Sequence, residues 1–270
     1  MPTPTTEPAA LLELAVATAR EAAALVAEGR ASAAEHVGVK SSPVDVVTAV
    51  DTASEALVVG RLLGARPDDG VLGEEGARRE GTSGVRWIVD PIDGTVNFLY
   101  GYPAYAVSIA AEVDGVVTAG AVLNVATGEL FSAAAGQGAV LEAPGAAPVP
   151  LGGSRPEGLD RALVATGFGY RPEQRRAQGA VVAELLPRVR DIRRGGSAAL
   201  DLCTAAAGRV DAYYELDLNP WDHAAGALVA AEAGLVLGGL AGRPFADPMA
   251  VAVAASIAGP FLDLLAELHR

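Results

Sequence analysis

Val85-Arg86-Trp87-Ile88-Val89-Asp90-Pro91-Ile92-Asp93-Gly94-Thr95 is the stretch from which the rest of the chain can be placed. Its first half, Val85 to Val89, is largely apolar and β-branched and has the length of a buried strand. The strand is expected to end at Asp90, because D-P and D-G are common loop punctuation. Two carboxylates three residues apart, the carbonyl of Ile92 and the hydroxyl of Thr95 then fall within one turn. Such an all-oxygen set suits a hard divalent cation of the Mg²⁺ type. The same residues would also make an ordinary polar turn, and this stretch alone does not separate the two readings.

Working outward, Ala104 to Val113 and Val116 to Val125 flank Asp114-Gly115 and predict a β-hairpin. Thr127-Gly128 turns the chain again before Leu130 to Ala135, so an antiparallel meander is expected. Upstream, an amphipathic helix is expected within Met1 to Glu28. An extended segment follows from Gly38 to Asp45, since Pro43 disfavours helix before it. A second helix is expected over Thr52 to Leu63, and a short strand over Gly70 to Leu72 runs into Gly73-Glu74-Glu75-Gly76. Arg78 to Gly84 reads as an exposed loop.

Ala143 to Gly153, rich in Pro, Gly and Ala, is the best boundary in the chain. It divides an N-terminal α+β subdomain (1–145) from a C-terminal α/β subdomain (146–270). In the second part, apolar strands at Ala162–Thr166, Val210–Leu216, Leu235–Leu237 and Val251–Ala255 alternate with helices, the pattern of an α/β layer. One helix is expected to start at Ser197 as N-cap and end near Gly208. Another is expected to start at Asp222 as N-cap, and the last to run from Pro260 to His269.

The bulk properties narrow the function. A chain of 270 residues with 51% hydrophobic and 20% charged content is globular rather than disordered. No apolar run reaches the ~18 residues of a spanning helix, and the N-terminus lacks the basic start of a signal peptide. With Cys203 as the only cysteine, no internal disulfide can form. A soluble, cytoplasmic protein is expected. The net charge of −13 argues against nucleic acid or an anionic membrane as partner. It does not exclude an anionic substrate if the acids gather around cations, which would then dominate the local field. Lys40 is the only lysine in a chain whose other basic residues are all arginine, which points to a need for a compact point charge there.

Four acidic clusters sit at element boundaries: Asp45 with Asp51, Glu74 with Glu75, Asp90 with Asp93, and Glu215 with Asp222. Each has a plain structural alternative, such as a helix cap for Asp51 or Asp222, a solvated loop for Glu74 and a turn for Asp93. Together they could form a two-metal site, which stabilises both the attacking and the leaving oxygen of an in-line displacement. Gathering so many carboxylates without cations would be opposed by their mutual repulsion. Gly94-Thr95 and Gly195-Gly196-Ser197 each precede an expected helical turn, whose N–H groups suit a phosphate. No G-x-x-x-x-G-K-[ST] loop is present, so nucleotide-driven transfer is not indicated.

Six segments carry a resemblance. Trp87-Ile-Val-Asp-Pro-Ile-Asp-Gly-Thr-Val-Asn-Phe98 and Trp221-Asp-His-Ala-Ala-Gly226 resemble the two signature motifs of the inositol monophosphatase family. Lys40 to Asp51, Gly73 to Gly76, Gly195 to Cys203 and Asp211 to Glu215 match further family segments in order. The likeness covers residues 10 to 258 and is nearest to the bacterial, actinobacterial-type inositol-1-monophosphatases. It implies a layered αβαβα sandwich of the α/β (α+β) class, Mg²⁺ dependence, Li⁺ inhibition and a homodimer. It further implies that Glu74, Asp90 and the Ile92 carbonyl hold a first Mg²⁺, and that Asp90, Asp93 and Asp222 hold a second. Glu74 with waters would hold a third, weaker ion. By the same resemblance Glu74 and Thr95 orient the attacking water, and Asp51 orients Thr95. Glu75 supports from behind, and Lys40 lies on a loop near the metals. Gly94, Thr95, Gly196, Ser197 and Ala198 contact phosphate and substrate, and Glu215 accepts from inositol hydroxyls.

The implied activity is hydrolysis of myo-inositol 1-phosphate, a small phosphorylated polyol. Fructose 1,6-bisphosphate, 3′-phosphoadenosine 5′-phosphate and histidinol phosphate are rival substrates, since Arg171, Arg175, Arg176, Arg193 and Arg194 could meet a second anion. A non-catalytic metal-binding interaction protein is the alternative of a different kind. His36, His223, His269 and Cys203 are read as structural or exposed.

Overall fold

The computed structural model describes residues 6–31, 37–39 and 46–270. Lys40, Asp45, Pro43 and His36 lie outside the described residues. The first part of the chain supplies α1 (Pro8–Gly29), β1 (Val37–Val39), β2 (Val46–Thr48), α2 (Ala49–Ala65), β3 (Gly70–Gly73), β4 (Arg78–Arg79) and β5 (Val85–Asp93). It continues through α3 (Thr95–Tyr100), β6 (Ala106–Val113), β7 (Val116–Asn124), β8 (Leu130–Ala134), β9 (Ala139–Glu142) and β10 (Val149–Pro150). Then follow β11 (Leu163–Thr166), α4 (Pro172–Leu185), β12 (Asp191–Arg193), α5 (Ala198–Ala206) and β13 (Ala212–Leu216). The chain closes with α6 (Pro220–Glu232), β14 (Val236–Gly238), β15 (Met249–Val253) and α7 (Ala258–Leu268).

Two large sheets organise these elements. One has the order β10-β9-β8-β7-β6-β5-β3-β4, the other β12-β11-β13-β15-β14. In the first, only β3 and β5 pair in parallel; its centre is the expected meander, β6 and β7 joined at Asp114-Gly115. Both turn residues have positive φ, 49° and 86°, the requirement of the tight turn that matches strand twist. In the second sheet β11 runs parallel to β12 and β13, while β15 is antiparallel to β13 and β14.

The alternation of side chains along a strand builds the layers. Trp87 and Val89 of β5 face one side, where they pack with Leu11, Ala15 and Val26 of α1 and Val58 and Leu62 of α2. Ile88 faces the other side, among residues of α5 and α6 that include Leu202, Ala225 and Val229. That same layer contacts Tyr213 and Ala252 of the second sheet. Val164, Tyr214 and Val251 on the far face of that sheet meet Leu185 of α4 and Phe261 and Leu265 of α7. The succession is α1/α2, sheet, α5/α6, sheet, α4/α7: five layers, αβαβα. Each large side chain fully buried in this way contributes about 1.5–3 kcal/mol. Trp87, completely buried, also donates its indole N–H to Asp69 at 2.8 Å, so no polar atom of the largest core side chain is lost from water unpaired.

Four local details differ from the sequence expectations. The strand at Val85 does not stop at Asp90. Asp93 is still paired, to Ala106, after an irregularity in register between Asp90 and Asp93, the kind of local bend that re-aims side chains beside functional sites. α2 begins at Ala49 rather than Thr52 because Thr48 serves as N-cap and Asp51 returns a hydrogen bond to it in a capping box. α6 begins at Pro220, not at Asp222. Proline is favoured in the first helical turn, Asn219 takes the cap position, and Asp222 sits in the third helical position, accepting the Asn219 N–H at 2.6 Å. Arg78–Arg79, expected in a loop, form a short exposed strand on β3.

Candidate active site

β5, α2, α5, β13 and α6 deliver the acidic residues to one region. The bend in β5 leaves Asp90 almost wholly buried, with Oδ1 accepting the Ile92 N–H at 3.0 Å. Asp93, also buried, points toward the start of α5. Its Oδ2 accepts from Ser197 Oγ at 2.5 Å and from the Ala199 N–H at 2.7 Å. Ser197 is the N-cap of α5, as expected, and accepts in turn from the Leu200 N–H. The α5 N-terminus thus already serves a carboxylate of the protein itself. Ala198 and Gly196 face the open space beside it.

That space is a cleft of about 700 Å³, lined by Glu74, Asp93, Thr95, Glu215 and Asp222, with Gly94, Gly196 and Ala198 between them. Asp90 and Ile92 are buried and are not among its lining residues. Ser197 is buried against Asp93, and Asp51 is fully buried behind Thr95. Glu75, half-buried in the turn after β3, does not line the cleft. Among the described residues, no three His, Cys, Asp or Glu side chains are drawn together into a closed ligand shell. The acids share a cleft and one another's field rather than a common point.

The field is strong. Burial raises Asp90 well above the ordinary carboxylate range, and the neighbouring Glu74, Asp93 and Asp222 raise it further. Asp93 is pushed up to about 7 by burial, against the lowering effect of its bonds from Ser197 and Ala199. Asp222 is raised by burial and by Asp93 and Glu74. Among the described residues, the charges acting on these three are those of other carboxylates. Acids so buried and so close carry a repulsion that a hard, oxygen-loving cation would remove. The donor set therefore fits a divalent metal: Glu74, Asp90, Asp93 and Asp222 with the Ile92 carbonyl.

Thr95 begins α3 as expected, with Gly94 as its cap at φ 92°. A Cβ at Gly94 would lie 2.9 Å from the Ala104 carbonyl and 3.1 Å from that of Gly196, so the position demands glycine twice over. The Thr95 hydroxyl lies 3.1 Å from both Asp51 Oδ1 and the Ile92 carbonyl oxygen. Asp51 Oδ2 accepts from the Thr48 N–H at 2.9 Å and from the Thr48 hydroxyl. Burial raises Asp51. An acid–hydroxyl pair of this kind can pass a proton outward-in, from a water on Thr95 to Asp51.

Glu215, raised by burial, takes the Tyr213 hydroxyl at 2.8 Å on Oε2 and presents the remainder of its carboxylate to the cleft. Of the five arginines singled out in the sequence, Arg171, Arg175 and Arg194 line the cleft, all with exposed side chains. Arg193 pairs with Asp191 instead, and Arg176 is not part of the lining. Burial lowers His223 to about 4, so its ring is uncharged near neutral pH, and it packs edge-on to Phe245 at 5.4 Å. Cys203 is completely buried in α5.

Sequence reasoning missed three side chains. Ser54 and Glu55 of α2 are buried and reach the site, Ser54 donating to the Pro91 carbonyl at 3.2 Å. The cue in the sequence was their spacing from Asp51, which places all three on one helical face. Asp201, buried in α5, has one oxygen with no partner among the described residues; the sequence held no sign of it, since an acid after a helix start is ordinary.

A family model described as the inositol monophosphatase family matches residues 7–269. Inositol-1-monophosphatase SuhB of Mycobacterium tuberculosis is 47% identical over 287 aligned residues, spanning 100% of this chain and 97% of the relative. The Escherichia coli protein called Nus factor SuhB is 38% identical over 234 residues, 86% of each chain. Among solved structures, Mycobacterium tuberculosis SuhB superposes with a TM-score of 0.85 at 46% identity, covering 98% of both chains.

Proposed function

The chain belongs to the inositol monophosphatase family, a family of generally metal-dependent phosphatases, and from that premise we propose that it hydrolyses myo-inositol 1-phosphate to myo-inositol and phosphate with Mg²⁺ as cofactor. Glu74, Asp90 and the Ile92 carbonyl are assigned to a first ion, Asp90, Asp93 and Asp222 to a second, and Glu74 with waters to a weaker third. When bound, such ions neutralise phosphoryl charge and supply a strong nucleophile from water near neutral pH.

The observation that carries this reading is the Thr95 hydroxyl, held 3.1 Å from the Asp51 carboxylate at the edge of a cleft floored by Glu74, Asp93 and Asp222. Thr95 takes a proton from the attacking water while handing its own to Asp51, and Glu74 holds that water in line; as the water oxygen bonds to phosphorus, the P–O bond to inositol breaks and the departing alkoxide takes a proton from solvent water. Phosphate-ester transition states are loose, so positioning and charge matter more than covalent help from the protein. Gly94, Gly196 and Ala198 leave room for the phosphoryl oxygens, and Ser197 holds Asp93 in place. Glu215 accepts from polyol hydroxyls, which is the contact that selects the alcohol. Lys40, placed near the metal loop by resemblance, supplies a compact positive charge. The division at residue 145 then separates most of the metal ligands from the alcohol-binding residues and Asp222. A homodimer and inhibition by Li⁺ belong to the same proposal.

One observation favours a second substrate. Arg171, Arg175 and Arg194 at the exposed edge of the cleft would suit an ester carrying a further anion, such as fructose 1,6-bisphosphate or 3′-phosphoadenosine 5′-phosphate. The acidic balance of the whole chain, −13, favours small esters over nucleic acid. The test is a panel of inositol 1-phosphate, fructose 1,6-bisphosphate, phosphoadenosine phosphate and histidinol phosphate, with and without Mg²⁺. Highest kcat/KM on inositol 1-phosphate, lost on chelation, supports the proposal. Preference for another ester removes its substrate, and full turnover in chelator removes its cofactor.

A further inference from the structure

α2 reaches the site at three points along one face. Asp51 meets Thr95, Ser54 meets the Pro91 carbonyl, and Glu55 extends to the turn after β3. The first two support the β5–α3 segment. The third supports the segment that carries Glu74.

Glu55 is only 6% exposed. Oε2 accepts the Glu75 N–H at 2.8 Å and Oε1 accepts the Ala77 N–H at 2.9 Å. Both carboxylate oxygens are thus used on one turn. The turn is otherwise closed by the Gly73 N–H on the Ala77 carbonyl at 2.7 Å, and is tied to β5 by the Glu74 N–H on the Val89 carbonyl at 3.2 Å. Gly73 is where the carboxylate passes beneath. A Cβ on Gly73 would lie 2.2 Å from Glu55 Oε2, so only glycine lets the acid come this close. A carboxylate that accepts two backbone N–H groups fixes a turn more firmly than a neutral acceptor, because both bonds are charge-assisted.

We infer that Glu55 is a positioning residue for the proposed reaction: its two hydrogen bonds fix the Gly73–Ala77 turn and so hold Glu74 over the cleft beside Asp90. Glu55 does not line the cleft. It acts through the backbone on either side of the Glu74 side chain. The inference rests on the proposed role of Glu74 in holding a cation and the attacking water.

Two variants approach this contact from opposite sides. Glu55→Gln keeps the shape but replaces one acceptor by an amide that faces an N–H. Gly73→Ala leaves every proposed ligand intact and drives the Glu55 carboxylate out from under the turn. Three quantities are read for each: the melting temperature in chelator, the Mg²⁺ concentration giving half the Mg²⁺-induced rise in melting temperature, and kcat and KM on inositol 1-phosphate. Both variants are expected to need at least about fivefold more Mg²⁺ for the half-maximal rise, with kcat down about tenfold or more and KM within about threefold. Glu55→Asp, a shorter acid that retains the charge, is expected to recover part of the loss. A merely structural Glu55 would lower the melting temperature in chelator and leave the Mg²⁺ midpoint and kcat within twofold of the parent, which overturns the inference. Should Glu55→Gln fail to fold, the Gly73→Ala result decides on the same criteria. If the parent protein shows a Mg²⁺-dependent melting rise but hydrolyses none of the esters, the failure lies in the proposed function, and the Mg²⁺ midpoints still judge Glu55.

Discussion

Replacing Asp93 by Asn separates the chemistry of this cleft from its stability more cleanly than any other single change. Ionised Asp93 is buried, and its carboxyl is pushed up to about 7 from the ordinary 3.8. At about 1.4 kcal/mol per tenfold change in proton affinity, the ionised form burdens the metal-free fold by a few kcal/mol at pH 8, roughly 4 at most. Asn carries no charge, has the same shape, and keeps an oxygen for Ser197 Oγ and the Ala199 N–H. The metal-free variant is therefore expected to melt no lower than the parent at pH 8. A gain of half that amount would raise Tm by about 4 °C or more. Activity should move the opposite way. Losing one carboxylate that holds a cation proposed to neutralise phosphoryl charge should lower kcat at least about 100-fold, close to 3 kcal/mol, and should shrink the rise in Tm that Mg²⁺ produces. Calorimetry in chelator and in Mg²⁺, beside steady-state turnover of inositol 1-phosphate, gives all three numbers. Turnover within threefold of the parent, or a Mg²⁺-induced rise of unchanged size, would refute the assignment of Asp93.

Other consequences can be checked with simple measurements. Glu215→Gln should reduce kcat/KM for inositol 1-phosphate at least about tenfold more than for an aryl phosphate, because only the polyol offers hydroxyls to the carboxylate; equal losses would remove Glu215 from substrate selection. Raised carboxyls such as Asp90 and Asp93 bind protons more tightly in the fold than in the unfolded chain. Their stabilising contribution is present in acid and disappears as pH climbs toward about 7 and beyond. Metal-free protein should therefore lose stability from pH 5.5 to pH 8, while the Mg²⁺-induced rise in Tm grows over the same window; a rise that shrinks with pH would contradict this. Gly94→Ala should cost about 1–3 kcal/mol in denaturant unfolding from its φ of 92° alone, with more from the carbonyls of Ala104 and Gly196, and a neutral outcome would mean that the turn is not held as described.

Much of this architecture can be read from the chain because local signals agree with the global fold. The hairpin at Asp114-Gly115 is legible since a two-residue turn with positive φ leaves few alternatives. Ser197 announces α5 for the same reason: its hydroxyl satisfies an N–H of the first turn. Errors arise where two roles compete for one residue. Asp222 looks like a helix cap and sits instead in the third helical position, since Asn219-Pro220 starts the helix earlier. Asp90 looks like the end of a strand because proline follows, yet β5 continues to Asp93 through an irregular register that neighbouring β6 tolerates. The acids of the cleft are legible as a set from their motifs, but Ser54, Glu55 and Asp201 are not. The spacing of Ser54 and Glu55 from Asp51 gives the shared helical face, but which backbone atoms other segments bring to that face, or to Asp201, is set only in the fold.

The most direct test soaks a crystal of the protein in Mn²⁺, as a visible substitute for Mg²⁺, and maps the anomalous signal. The account predicts paired peaks in the cleft, touching oxygens of Glu74, Asp90, Asp93 and Asp222 and the Ile92 carbonyl. Strong peaks elsewhere, with those five groups turned away from any metal, would contradict it.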